Sequence, residues 1–212
     1  MAKLSFNRVL VLSPHTDDGE FGCGATISKF LSEGIELYYA AFSLAEESVP
    51  PNYPKDILSK EVKKATSELG IDKNNLMLYK YPVRRFAENR QDILENLVQL
   101  NKEIDPDLVF MPCLEDLHQD HSTIAKEGLR AFKMKSILGY EIPWNNINFS
   151  MRSFIVFNKI HLDRKLSALS CYESQKHRYY ASEDFITGLA RTRGTQIGEK
   201  YAEVFEVVRW IL

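Results

Sequence analysis

The stretch Val9-Leu10-Val11-Leu12-Ser13-Pro14-His15-Thr16-Asp17-Asp18-Gly19-Glu20 decides how this chain is read. Its first four residues are apolar and partly β-branched, which predicts a buried strand over 9–12. An imidazole and two adjacent carboxylates follow at once. Gly22-Cys23-Gly24 comes next, within a helical pattern over 22–31 that Gly34 stops. Strand, polar cluster, glycines and helix, in that order, are how an α/β protein presents reactive groups at the carboxyl end of its first strand. One histidine and two carboxylates there suit a hard metal site or an acid–base pair.

Outward from this stretch the alternation continues. A second strand over 35–42 completes a βαβ unit, which implies a parallel sheet. Residues 43–54 are polar and carry Pro50, Pro51 and Pro54, so they form a long loop and a candidate substrate-side lid. A helix over 57–69 ends at Gly70. A strand over 76–79, an arginine-rich connection over 84–90 and an amphipathic helix over 93–104 come next. Asp105-Pro106-Asp107 breaks the chain before a fourth strand over 108–111. A helix over 122–132 and a strand over 136–141 follow. Beyond Pro143 the pattern is less regular, with strands expected over 149–157 and 202–210 and helices over 162–171 and 183–190. There is no repeat, low-complexity tract or linker. The expectation is one domain over 1–212: an α/β, Rossmann-like three-layer sandwich with a mostly parallel central sheet and a C-terminal elaboration.

Composition narrows the function. The 212 residues are 44% hydrophobic and 26% charged, with a net charge of −2, an ordinary globular balance. No stretch is strongly basic, so a nucleic-acid partner is not expected. The three cysteines, Cys23, Cys113 and Cys171, are far apart and form no CxxC, which favours a reducing compartment. Residues 1–8 carry no apolar core of signal-peptide length, and no run approaches membrane-spanning length. A cytoplasmic protein without a membrane span is expected.

A second polar cluster, Asp116, His118, Asp120 and His121, follows the strand over 108–111. In a doubly wound sheet two such clusters meet above the strand ends. His, Asp and His converging there can give three ligands to zinc and leave a fourth position for water, and a nearby carboxylate base would then allow hydrolysis of an amide or ester. Each residue also has an ordinary reading. His15 could be a solvated turn residue, Asp17 and Asp18 could cap the next helix, and His118 and His121 could face solvent on a first turn. Jointly those readings weaken, because three of the five histidines fall just after two apolar strands. His161 and His177 have no such acidic company and read as structural or surface residues, with His177, beside Arg178 and Tyr179, the one candidate for a pocket rim. Cys23 and Cys113 lie near the clusters but read as small buried residues rather than ligands.

The two clusters carry a resemblance. His15-Thr16-Asp17-Asp18-Gly19-Glu20-Phe21-Gly22-Cys23-Gly24-Ala25-Thr26-Ile27 resembles the H-P-D-D-E-E-L-G-C-G-G-T-I signature of the LmbE-like (PIG-L) family of zinc-dependent N-deacetylases. Asp116-Leu117-His118-Gln119-Asp120-His121 resembles its D-x-H-x-D-H. Glu61, Ala65 and Leu69-Gly70, then Lys165, Leu169 and Ser174-Gln175, then Ala202-Glu203 and Phe205 echo further family positions, so the resemblance covers nearly the whole chain.

The resemblance implies that His15, Asp18 and His121 bind the metal, Zn²⁺ or another divalent ion such as Fe²⁺. It makes Asp17 the general base. His118, protonated, would stabilise the oxyanion and supply the leaving amine's proton. Asp120 is expected to hydrogen-bond His118, and Asp116 to hold His15 or the loop. Three departures stand out: Thr16 where the family has proline, Gly19 where it has glutamate, and Leu58 where it has an arginine before the helix glutamate. Another cation would then serve the substrate, with Arg84, Arg85 and Arg90 as candidates. Glu46, Glu47, Trp144 and Arg193 are further candidates for the mouth of the site.

The implied activity is removal of an acetyl group from an N-acetylated sugar of the N-acetylglucosamine-conjugate type. The implied partner is that small molecule, and a homo-oligomer is compatible with the reading. The alternatives are an amidase of the same family acting on a larger amide, and a non-catalytic sugar or nucleotide-sugar binding protein. The five intact residues His15, Asp17, Asp18, His118 and His121 argue against the last.

Overall fold

The computed structural model describes residues 6–211; residues 1–5 of the N-terminal stretch read above, and residue 212, lie outside it. Seven strands form one sheet in the order β3-β2-β1-β4-β5-β7-β6. These are β1 (Arg8–Ser13), β2 (Glu36–Ala41), β3 (Leu76–Leu78), β4 (Leu108–Pro112), β5 (Ser136–Tyr140), β6 (Ser153–Val156) and β7 (Ala202–Arg209). The first five run parallel, and β7 is antiparallel to both β5 and β6. This is the mostly parallel, doubly wound α/β sheet that the alternation predicts. The C-terminal elaboration extends its β5 edge.

Six helices cover the sheet: α1 (Asp18–Ser32), α2 (Ile57–Leu69), α3 (Arg90–Ile104), α4 (Gln119–Ala131), α5 (Lys159–Ser170) and α6 (Glu183–Thr195). The pleat of β1 sorts the core into two layers. Val9 and Val11 pack on one face with apolar residues of α1, α2, α5 and α6. Leu10 and Leu12 pack on the other with those of α3 and α4. Three layers result.

The strand order reverses between β1 and β4, which pair directly, Val9 with Leu108 through Val11 with Phe110. Connections leave in opposite directions at such a point, and a crevice opens above the carboxyl ends. Both polar clusters emerge there.

Several boundaries differ from expectation. Helix α1 begins at Asp18 rather than 22, and Cys23 within it leaves helical geometry (φ −146°, ψ 23°). The break is held from outside. Lys165 Nζ donates to the carbonyl of Phe21 at 2.6 Å, and the Glu203 carboxylate accepts from the N–H groups of Ala25 (3.1 Å) and Thr26 (2.7 Å). Lys165 and Glu203 pair with each other at 2.7 Å, so two buried charges serve the backbone groups that the kink releases. Helix α3 begins at Arg90, so the arginine-rich connection ends inside a helix. Helix α4 begins at Gln119, three residues early. Strand β6 covers only Ser153–Val156 of the expected 149–157.

Candidate active site

Asp17 stands at the N-terminus of α1, yet its side chain makes no capping hydrogen bond. The helix-cap reading of this aspartate therefore fails. Asp18 Oδ2 turns back to accept from the backbone N–H of His15 at 2.8 Å. The same oxygen lies 3.0 Å from His15 Nδ1 and 3.1 Å from His121 Nε2, and those two nitrogens are 3.4 Å apart. Ligands about 2.0–2.1 Å from a tetrahedral ion stand roughly 3.3 Å from one another, so this triangle fits one face of such a site.

The outer nitrogen of each ring has its own carboxylate. His15 Nε2 donates to Asp120 Oδ2 at 3.0 Å, and His121 Nδ1 donates to Asp116 Oδ2 at 2.8 Å. Each contact fixes the ring and turns its other nitrogen toward Asp18, the nitrogen that could ligate a metal in the deprotonated ring. The structure thus corrects the expected carboxylate partners. Asp120 holds His15 rather than His118, and Asp116 holds His121. The reason is local: His118 is the N-cap of α4, and its Nδ1 accepts from the backbone N–H of Asp120 at 3.2 Å. No carboxylate can take a proton from that nitrogen.

His15, His118 and His121 can also be grouped as ligands, their nitrogens lying within 4.8 Å of one another. The set with Asp18 is tighter, because its carboxylate oxygen touches both imidazoles. Both sets share His15 and His121.

Electrostatics agree with a cation site. Burial works against charge on His121, but Asp18 and Asp116 outweigh it and raise its pKa to about 10. Burial likewise opposes ionisation of Asp18, yet His121 and His15 hold its carboxyl well below the usual range. Carboxylates that draw a proton onto a buried imidazole offer the same field to a metal ion. Burial and the neighbouring Asp18 charge push Asp17 up to about 6, against the pull of Arg178. His118 is different. Burial, then the rings of His121 and His15, push it down to about 4. That shift favours the neutral ring over the expected imidazolium, and the Asp120 N–H at Nδ1 leaves Nε2 as the nitrogen to carry a proton.

A cavity of about 350 Å³ opens over these groups. Phe21, Trp144 and Tyr180 form an aromatic wall, with Trp144 and Tyr180 stacked at 3.9 Å between centroids. Of the proposed substrate residues, Arg84 and Trp144 line the cavity. Arg85 does not and is exposed, with Glu88 nearby, and Arg90 pairs instead with Glu127 at 3.0 Å. Glu46 and Glu47 lie off the cavity, and Arg193 is bound to Glu141. Ala45 and Ser48 line the cavity, so the 43–54 loop lies on the substrate side. His177 is exposed; its neighbour Arg178 reaches the cavity.

The cysteines stay outside the ligand group. Burial drives the Cys23 thiol well above its usual range and Cys113 up to about 12. Sequence reasoning missed Gln175, Arg178 and Tyr180, which line the cavity from the segment after α5. The Ser174-Gln175 echo was the available signal. Ser174 is where Glu61 of α2 grips this segment, accepting from its N–H at 3.0 Å and its hydroxyl at 2.6 Å.

Residues 10–132 match the family model described as PIG-L, GlcNAc-PI de-N-acetylase. The chain belongs to the PIG-L family. It is accordingly a hydrolytic enzyme of the N-deacetylase class. The uncharacterized deacetylase YaiS of Escherichia coli is 26% identical over 179 residues, 78% of this chain and 90% of the relative. The probable N-acetyl-alpha-D-glucosaminyl L-malate deacetylase 2 of Bacillus cereus is 24% identical over 189 residues, 79% of this chain and 83% of the relative. Among solved structures, the N,N'-diacetylchitobiose deacetylase of Pyrococcus horikoshii superimposes with a TM-score of 0.81 at 21% identity. That match covers 96% of this chain and 84% of the other, and it shows the shared fold. Among the described residues no helix is long and apolar enough to cross a membrane.

Proposed function

We propose that this PIG-L protein removes the acetyl group of an N-acetylated sugar, of the N-acetylglucosamine-conjugate type, with one zinc ion held by His15, Asp18 and His121. The observation that carries this reading is the triangle of Nδ1, Oδ2 and Nε2 atoms, 3.0–3.4 Å on each side, beside a free carboxylate in a cavity. Zinc in such a donor set polarises an amide carbonyl and acidifies a water molecule. Fe²⁺ suits the same donors.

The chain's own residues do the rest. Asp17, titrating near neutrality, accepts the attacking water's proton and returns it to the leaving amine. His118, neutral, donates its Nε2 proton as a hydrogen bond to the oxygen on which charge develops. Asp120 and Asp116 fix the ligand rings. The aromatic wall of Phe21, Trp144 and Tyr180 offers a flat apolar face to a sugar ring. The names of the Bacillus cereus and Pyrococcus horikoshii proteins, both of which denote deacetylation of N-acetylated sugars, support the substrate class.

The test is acetate release from a panel of N-acetylglucosaminides, with zinc supplied and after chelation. Release that chelation abolishes and zinc restores is expected. Zinc-loaded protein that frees a larger acyl group but never acetate would overturn the reading in favour of the amidase.

A further inference from the structure

Among the described residues seven lysines and arginines are half-buried or buried. Arg8, Lys29, Lys135, Lys165, Arg193 and Arg209 each reach a carboxylate or a backbone carbonyl. Arg178 alone hydrogen-bonds to neither; its guanidinium donates to the Tyr180 hydroxyl and stands over that ring at 5.6 Å. A half-buried guanidinium has five donors to satisfy, and leaving them without an acceptor is costly. Its unmatched donors belong to the wall of the active-site cavity.

The segment that leads into Arg178 is tied down at two points. Glu61 binds Ser174, and the Tyr172 hydroxyl reaches the Thr16 carbonyl at 2.7 Å and Glu20 at 2.8 Å. The guanidinium therefore projects from a fixed base. A second cation, Arg84, lines the same cavity, and its guanidinium pairs with no carboxylate; it donates only to Ser48 Oγ, at 3.3 Å. Its backbone sits in the left-handed region (φ 68°), anchored where its N–H donates to Asp120 Oδ2 at 2.6 Å. Two acidic residues line the cavity, Asp18 in the triangle with His15 and His121 and Asp17 beside it, and no other does.

We propose that Arg178, with Arg84 adding positive potential, forms an oxyanion subsite, so that the sugar conjugate this enzyme takes carries a carboxylate or phosphate beside the acetamido ring. This rests on the deacetylase reading for the rest of the substrate. A guanidinium fork matches either group bidentately.

The experiment uses deacetylated sugars, which the enzyme cannot consume. Calorimetry on the zinc-supplied protein compares glucosamine 1-phosphate, a carboxymethyl glucosaminide and the neutral methyl glucosaminide. At least one oxyanion sugar is expected to bind about tenfold more tightly than the methyl compound, and the preferred one identifies the anion. In Arg178→Gln the preference should fall to about one, with Arg178→Lys in between. If Arg178→Gln does not fold, Arg178→Lys carries the test and should lose about threefold or more, because it keeps the charge without the fork. Equal affinity for all three sugars in the wild type, or a preference that survives these substitutions, overturns the subsite. A pH profile of acetate release that moves in Arg178→Gln while the preference stays would assign Arg178 to Asp17 instead. Acetate release from the N-acetylated counterparts is read separately: discrimination without release would overturn the deacetylase reading alone.

Discussion

Asp120 Oδ2 accepts from His15 Nε2 at 3.0 Å and from the backbone N–H of Arg84 at 2.6 Å, so one fully buried carboxylate fixes both the His15 ring, proposed above as a metal ligand, and a wall of the cavity. Removing such a partner typically weakens metal affinity by about 10–100-fold. Asp120→Asn should do so here, measured by chelator competition, while the fold is retained. Unchanged affinity would mean that His15 is oriented by something else.

The buried pair Lys165–Glu203 is a brace for the kink in α1 rather than an isolated ion pair. Glu203→Leu strands Lys165 and two N–H groups, and should cost about 3–5 kcal/mol in chemical denaturation. Replacing both partners, Lys165→Met with Glu203→Leu, should not restore stability. The N–H groups of Ala25 and Thr26 remain without an acceptor, at about 1–3 kcal/mol each. A double variant as stable as the wild type would show that the kink relaxes.

Gly19 has a specific neighbour. A Cβ there would lie 2.6 Å from the Tyr39 ring. Alanine for glycine inside a helix ordinarily stabilises by up to about 1 kcal/mol. Here the overlap, about 1–3 kcal/mol, should win and make Gly19→Ala destabilising. Tyr39→Leu should relieve it, giving a coupling of about 1 kcal/mol or more in a double-mutant cycle. Additive effects would contradict the packing argument.

How much of this was legible in the sequence follows the range of the interactions. The parallel strands and both clusters were readable because apolar runs and their polar sequels are local signals. The helical start at Asp18 was not, because Gly19, Gly22 and Gly24 weaken the pattern and the kink at Cys23 is supported by residues more than 140 positions away. Which carboxylate holds which imidazole was also hidden. Asp120 is two residues from His118, but the helix turn gives His118 the Asp120 N–H and sends the carboxylate to His15. Arg178 was missed because an arginine in an irregular segment reveals nothing until its lack of a partner can be seen. The departure at Gly19 became intelligible only with Tyr39 packed over it.

Glu20 is fully buried between the hydroxyls of Tyr39 and Tyr172 and does not line the cavity. Burial pushes its carboxyl up to about 8, against the opposing hydrogen bonds from both tyrosines. Between about 4.5, its ordinary value, and about 8 the unfolded chain has lost this proton while the folded chain keeps it. Folding then takes up a proton, so Glu20's contribution to stability falls as pH rises, by up to about 1.4 kcal/mol per pH unit. The stability difference between Glu20→Gln and wild type should therefore move in favour of the glutamine from pH 5 to pH 8 in parallel denaturation series. A constant difference would place the proton elsewhere.

The most direct test of the central claim is paired measurement of bound zinc and acetate release in wild type and Asp17→Asn. In the wild type, release should rise with pH through about 6, as Asp17 loses its proton to become the base. Asp17→Asn should still bind one zinc ion per chain, because Asp17 is outside the ligand triangle, while acetate release falls by about 100-fold or more. Full activity in Asp17→Asn, or loss of its zinc, would contradict the division of labour between Asp17 and Asp18.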